Sequence, residues 1–438
     1  MKSSAIVNPN RAVNSQARDA LIIGGGPAGL AAAISLRQNG LDVLVIEALT
    51  PPIDKACGEG LMPDARRELA RLGVELTGGR EFTGIHFASR NRGCEARMTA
   101  DFPNGKGLGI RRVELHQQLI DRAEEAGVHL KWGTRANLLV NGEVQIEGQP
   151  VPHRYLIGAD GQASQVRRWA GLEAGSLRSQ RLGFRRHYRL KPHQSLTWSR
   201  QVEVHWGSLG QAYVTPVAED EVCVAAVTRH TGINFDSVLD DLPYLKHALE
   251  GAESIGRDRG AVTTTRKLRR VTCGNVALGS VALGSVASGS VALIGDASGS
   301  ADAVTGEGLA STFREAFLLG EALGRDCLAD YEAGHPRILR LPQTMASLML
   351  TLDRWPAWRD HALRTLAGSP AIFAAMLGIH LGETSIPSFA AQYALEFAFR
   401  LLAPKQNRAA AFPEFASQRT AIDPDFSSTE SALAYRPQ

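Results

Sequence analysis

Leu21-Ile22-Ile23-Gly24-Gly25-Gly26-Pro27-Ala28-Gly29 decides the fold of this 438-residue chain. The apolar run at 20–23 reads as a strand, the small-residue stretch 27–39 as a helix, and Gly40 as the helix stop. Residues 41–46 read as a second buried strand. Strand, helix and strand within about thirty residues make a βαβ unit, whose parallel strands require a right-handed crossover. Gly24, Gly26 and Gly29 occupy G-x-G-x-x-G between strand and helix, with Pro27 and Ala28 inside the turn. Glycines there permit a tight turn and let the backbone approach a pyrophosphate, while the helix N-terminus favours phosphate charge. Glu47 closes the second strand, where an acidic side chain can accept both hydroxyls of an adenosine ribose and disfavours a 2′-phosphate.

Outward from this unit the αβ alternation continues. Residues 113–126 have a helical pattern ended by Gly127, and 128–132 resume as a strand. Between about 182 and 227 the texture changes to short alternating runs such as Gln201–Trp206 and 221–227, which predict antiparallel strands. After Asp330 the chain reads as helical, punctuated by Pro336, Pro342, Pro356 and Pro370, and its last thirty or so residues read as weakly ordered. The apolar stretch 371–381 is expected to pack in a core rather than to lie on a membrane.

Composition narrows the class. With 44% hydrophobic and 21% charged residues the chain has the make-up of a soluble globular protein. A formal charge of +3, from 48 basic and 45 acidic residues, gives no single-sign field for nucleic acid. The first twenty residues are polar, and no later run reaches about eighteen apolar residues. The expectation is a cytoplasmic protein without stable membrane insertion. Five cysteines without C-x-x-C spacing predict reduced thiols and no metal site.

Two further motifs narrow the ligand. Gly158-Ala159-Asp160-Gly161-Gln162-Ala163-Ser164-Gln165-Val166-Arg167 follows a predicted strand at 155–157, with Ser164 placed to cap a helix. Gly295-Asp296 closes an apolar strand, and Thr305-Gly306-Glu307-Gly308 leads a helix. Together with the first glycine loop, these resemble the class A flavoprotein hydroxylases and their geranylgeranyl reductase-like relatives over roughly residues 20–330. Cys57-Gly58-Glu59-Gly60 is similar to the C-G-x-G segment of the reductase-like subgroup. The resemblance implies non-covalent FAD, with Asp160 and Gly161 helping to hold it. It also implies that Asp296, after Gly295, accepts from a ribityl hydroxyl, and that Gly306, Glu307 and Gly308 bring a helix N-terminus towards the flavin. Residues 109–115 resemble the family's R-x-x-L helix start, which assigns Arg112 to the flavin side.

The implied fold is α/β, α+β overall. It comprises a discontinuous Rossmann-like FAD-binding domain at 1–80, 105–175 and 271–330, an antiparallel-sheet substrate domain at 81–104 and 176–270, and a helical C-terminal region at 331–438. The implied function is an FAD-dependent monooxygenase or reductase acting on a small apolar isoprenoid, polyketide or aromatic substrate. A single dinucleotide fingerprint makes NAD(P)H a transient visitor. Cys57 is the candidate catalytic residue, as proton donor or pocket wall on the substrate side, with Glu59 and His86 behind it. The alternative is a non-catalytic prenyl- or flavin-binding protein on the same fold. The halogenase W-x-W-x-I-P signature is absent, and Tyr213-Val214-Thr215-Pro216 stands where many prenyl reductases carry Y-x-W-x-F-P.

Residues 276–290 read VALGS, VALGS, VASGS, and 291–295 continue as VALIG. An odd period flips side-chain faces between copies in any strand, so one copy is expected to be the strand and the rest an extrusion. Deleting 276–290 restores the spacing of the resembled family. The shortened protein is expected to keep the flavin absorption of the full chain after purification; loss of the chromophore would contradict the expansion reading.

Overall fold

The strand Arg18–Ile23 is fully buried from Ala20 to Ile22, so both its edges need partners. In the computed structural model, which describes residues 18–91, 94–138, 143–197, 200–274 and 290–402, it lies inside a six-stranded sheet. The order is Thr272–Cys273, Ser290–Leu293, His153–Gly158, Arg18–Ile23, Val43–Ile46 and His129–Lys131. All neighbours are parallel except the outer pair 272–273 and 290–293. The helices Pro27–Gln38, Arg112–Glu125 and Gly308–Gly324 cover this sheet through one apolar core that includes Leu30, Ile34, Leu119 and Phe313.

An eight-stranded sheet forms the second layer. It runs Gly299–Ser300, Glu253–Leu268, Gly175–Arg189, Glu221–Thr228, Gln211–Ala218, Gln201–Trp206, Gly84–Asn91 and Cys94–Asp101. The antiparallel expectation holds with one exception, since Gln201–Trp206 pairs parallel with Gly84–Asn91. These two strands come from segments far apart in sequence, and such separation supplies the long connection that parallel pairing demands. The regions 81–104 and 176–270 therefore share a sheet, and the described residues to Leu401 pack as one compact unit.

The helices Leu328–Arg354, Pro356–Ala367, Pro370–His380 and Ile386–Leu402 follow. Pro356 and Pro370 start helices, as sequence punctuation suggests. Pro336 and Pro342 do not interrupt anything: both lie inside the helix Leu328–Arg354. Tyr331, His335, Leu339, Pro342 and Ala346 recur on one buried face, and burial of that stripe overrides the missing backbone donors. In the stretch 371–381, Ile372, Phe373, Leu377 and Leu381 pack into the core beneath Phe87 and Trp206, with Phe87 and Phe373 centroids 5.8 Å apart. No single described helix is long and apolar enough to cross a membrane, although Pro356–Ala367 and Pro370–His380 pass that test together as a pair bent by 110°. Of the pentapeptide segment, Ser290–Leu293 is a strand; residues 275–289 lie outside the described residues, as do the tail residues 403–438.

Candidate functional site

Three strands lying side by side end at the same edge, so three loops distant in sequence meet there. Ala159 N donates to Ile23 O and Ile294 N to Gly158 O, which carries the ladder to the strand ends. Gly24, at φ +116°, sits so close to the second loop that a Cβ would lie 2.3 Å from Ala159 O. A Cβ on Gly29 would meet Gly24 O at 1.8 Å, so the helix can start against the turn only with glycine at both positions. Arg167 bolts the second and third loops together, donating through Nη1 to Ala297 O (3.0 Å) and through Nη2 to Gln162 O (2.6 Å). Glu315 accepts from Gly295 N at 2.7 Å. Gly24, Gly26, Pro27, Ala28, Gly29, Asp160, Gly161, Gly295 and Asp296 are thus gathered along one edge.

The acidic and basic candidates have specific surroundings. Glu47 accepts from Gly25 N through Oε2 and from Leu49 N through Oε1, both at 2.8 Å; each carboxylate oxygen retains a lone pair. Asp160 caps the helix Gln165–Trp169 through Oδ2, with Ser164 Oγ as a second cap, while Asp160 Oδ1 is buried without a partner. Arg112 begins the helix Arg112–Glu125, and its Nε is likewise buried and unpaired. Asp296 presents an exposed carboxylate. His116, unremarked in the sequence, donates from Nε2 to Gly25 O and accepts from Ile53 N, an arrangement of neutral imidazole; burial lowers its pKa accordingly.

These features fit a dinucleotide. A Cβ added to Gly26, Gly161, Gly306 or Gly308 meets nothing within 4 Å, so each of these loops has open space beside it. Unpaired buried atoms of Asp160, Arg112 and Glu307 accompany it.

The segment Cys57-Gly58-Glu59-Gly60 joins the two sheets. Glu59 has φ +56° and is buried. Its Oε1 accepts from Arg112 N (3.0 Å) and Arg185 Nη1 (2.9 Å), and its Oε2 from His187 Nε2 (2.6 Å). Burial pushes the Glu59 carboxyl up, but these donors, His187 foremost, outweigh it and hold the pKa below its ordinary value. Arg185 also grips Asp54 in a bidentate pair, at 2.8 and 2.9 Å. Cys223 completes the cluster, and burial pushes its thiol well up. Glu59, His187 and Cys223 place donor atoms within 4.8 Å of one another, yet both Glu59 oxygens are already engaged by protein donors. Cys57 is half-buried, with Glu59 N donating to its sulfur at 3.4 Å. Gly58 O accepts from Thr215 Oγ1 at 2.7 Å. His86 stands apart, on the strand Gly84–Asn91, with Nδ1 2.7 Å from Thr99 Oγ1.

The FAD binding domain family matches residues 17–185. The chain thus carries an FAD-binding domain. Menaquinone reductase from Mycobacterium tuberculosis strain H37Rv is 33% identical over 164 residues, 35% of this chain and 40% of that protein. The match thus spans two fifths of the length of that curated relative. Digeranylgeranylglycerophospholipid reductase 1 of Methanothermobacter thermautotrophicus is 27% identical over 323 residues, covering 69% of this chain and 76% of its own. Rifampicin monooxygenase of Rhodococcus hoagii is 30% identical over 160 residues, 34% of this chain and 33% of its own. Among solved structures, the flavin-dependent brominase Bmp2 superposes with a TM-score of 0.65 at 19% identity, covering 88% of this chain and 100% of that one. At such identity the likeness shows the fold alone.

Thr305-Gly306-Glu307-Gly308 leads into the helix Gly308–Gly324. Gly306 takes the left-handed conformation at φ +70°, and the helix Gly308–Gly324 starts directly after it. Glu307 is buried, with Oε1 3.5 Å from His380 Nδ1. His380 Nε2 faces Thr305 O at 3.2 Å, so the ring proton belongs on Nε2 and Nδ1 is the acceptor. Burial pushes the Glu307 carboxyl up to about 8, with Asp64 adding repulsion, and drives His380 down to about 4. At neutral pH the pair is a carboxylic acid beside a neutral imidazole. Sequence reading missed His380, His187 and Arg185, which reach the site from distant elements. The one available signal was Arg185 and His187 two apart on a strand, sharing a face.

The sign of the Glu307 effect is fixed. A carboxyl whose folded pKa lies above its unfolded value binds more protons in the native state, so stability falls as pH rises from about 4.5 to about 8. Glu307→Gln removes that slope. Chemical denaturation is expected to show the variant gaining at least about 1 kcal/mol on the parent between about pH 5.5 and 8.5; parallel pH profiles for the two proteins would contradict the assignment.

Proposed function

We propose that the protein is an FAD-dependent oxidoreductase that takes reducing equivalents from NAD(P)H and reduces a carbon–carbon double bond in a small apolar substrate of isoprenoid type. FAD, when bound, supplies hydride chemistry at its ring. Gly24, Gly26 and Gly29 offer backbone N–H groups and the helix dipole to the pyrophosphate; Glu47 offers carboxylate lone pairs to the ribose, and Asp296 to a ribityl hydroxyl. The loop 305–308 presents the N-terminus of the helix Gly308–Gly324, and neutral Glu307 leaves its positive dipole uncompensated.

The observation that carries the reductive reading is the placement of Cys57. Saturating an alkene needs a proton as well as a hydride, and Cys57 holds a half-buried thiol where the FAD-binding domain meets the eight-stranded sheet. Glu59, clamped by Arg185, His187 and Arg112, fixes the loop that carries this thiol. Names among the relatives, menaquinone reductase and digeranylgeranylglycerophospholipid reductase, support an isoprenoid substrate. Hydroxylation of an aromatic or polyketide substrate is the second reading, supported by the similarity to rifampicin monooxygenase.

Purified protein is expected to be yellow and to oxidise NADPH under nitrogen when a polyisoprenoid or isoprenoid quinone is present. Cys57→Ala is expected to retain FAD and lose at least about tenfold in turnover, the usual worth of a positioned proton donor being about a hundredfold or more. NADPH oxidation strictly coupled to oxygen would replace reduction by hydroxylation. Unchanged turnover in Cys57→Ala would remove the thiol from the mechanism. A colourless protein that binds prenyl compounds would support the non-catalytic alternative.

A further inference from the structure

Against the eight-stranded sheet lies a cavity of about 100 Å³, partly open to solvent, lined by residues other than those gathered at the FAD loops. Its walls are the turn 207–210, Arg181, Arg229, His230, Asp353 and Arg359, where the helix Pro356–Ala367 begins. Three arginines face one aspartate. Asp353 is engaged through both oxygens: Oδ2 accepts from Arg181 Nη2 (2.8 Å) and Arg229 Nη1 (3.4 Å), and Oδ1 from Gln211 Nε2 (3.1 Å). Behind the walls, Asp302 lies 3.6 Å from Arg181 Nε. Asp241 is satisfied by Ser208 N, Ser208 Oγ and Leu209 N.

Arg359 is the unusual member. Its side chain is 2% exposed, and its one carboxylate contact is Nε to Asp360 Oδ1 at 3.5 Å. Asp360 Oδ1 also accepts from Ser89 Oγ at 2.8 Å. Neither terminal nitrogen of Arg359 has a hydrogen-bond or ion-pair partner among the described residues, and the side chain lines the cavity. Burying a guanidinium with unmet donors is costly unless something supplies acceptors. The start of the helix Pro356–Ala367 adds a positive dipole at the same place. Arg229, about half exposed, stands at the mouth with donors to spare.

We propose that this cavity is an oxyanion site that takes a phosphate group, held by the terminal nitrogens of Arg359 and by Arg229. Planar guanidinium forks match phosphate oxygens in pairs, and a buried, already desolvated arginine loses less on binding than a surface one. The site connects to the FAD site, because Arg181 bridges Asp353 to Asp302, and Asp302 Oδ1 accepts from Val304 N just ahead of Gly306. The phosphate can come from a lipid headgroup or from a soluble compound. Exposed Trp355 and Trp358 flank the helix start beside the cavity.

The test uses the FAD-loaded protein, titrated with inorganic pyrophosphate at chloride-balanced ionic strength. Tryptophan fluorescence is the readout, since Trp206 lies 5.8 Å from the Arg359 guanidinium. Saturable quenching is expected, weakened at least about fivefold by Arg229→Gln and at least about tenfold by Arg359→Met, the range expected for a charge-assisted hydrogen bond. Lys246→Ala, on an exposed helix elsewhere, is expected to leave it unchanged. Arg229→Gln keeps the test decisive should Arg359→Met fold poorly. Flotation with phosphatidic acid vesicles but not phosphatidylcholine vesicles, lost in Arg229→Gln, assigns the phosphate to a lipid. Pyrophosphate binding without flotation assigns it to a soluble compound. The absence of saturable binding, or binding indifferent to Arg229→Gln, would overturn the proposal.

Discussion

Parallel pairing of Ser290–Leu293, His153–Gly158 and Arg18–Ile23 is the constraint on which the rest of the structure depends. Neighbouring parallel strands release their loops at the same edge, so loops from three distant parts of the chain arrive together. The contact between Gly24 and Ala159 then sets how tightly they close. Everything chemical is arranged around that edge: the helix start at Pro27, the Asp160 cap, and Gly295 held by Glu315.

The second organising element is the buried charge cluster of Asp54, Glu59, Arg185 and His187. Desolvating these charges is expensive, and a partner-for-partner match offsets the cost only when the geometry is complete. Here each Glu59 oxygen is engaged and Arg185 is shared between two carboxylates. Such a cluster adds little net stability against an apolar replacement but tolerates one arrangement only. The arrangement fixes the Cys57 loop against the sheet that faces it. Glu307 obeys a different rule: with no basic partner strong enough, it stays protonated beside His380.

The βαβ unit was legible because glycine spacing, small-residue helix and apolar strands agree at every level. Motifs around Asp160 and Asp296 were legible for the same reason, each following a buried strand. The prolines misled: Pro336 and Pro342 carry a local signal against helix, and the buried stripe from Tyr331 to Ala346 outweighs it. Arg185, His187 and His380 were not read as site residues, because their partners lie 126, 128 and 75 residues away and, beyond the alternate spacing of Arg185 and His187, nothing local marks them. Glu59, ranked behind Cys57 from sequence, proves to be the better-anchored of the two. Arg359 stood among polar residues of an apparently ordinary helix, and only its burial distinguishes it.

The central claim is that loops distant in sequence build one FAD site, so its most direct test addresses the loop farthest from the glycine fingerprint. FAD binding to apoprotein, followed by quenching of flavin fluorescence, is the measurement, with Asp296→Asn compared against the parent. Loss of one charge-assisted hydrogen bond predicts affinity reduced at least about tenfold, with the folded state intact by circular dichroism. Undiminished FAD affinity in Asp296→Asn would contradict the account.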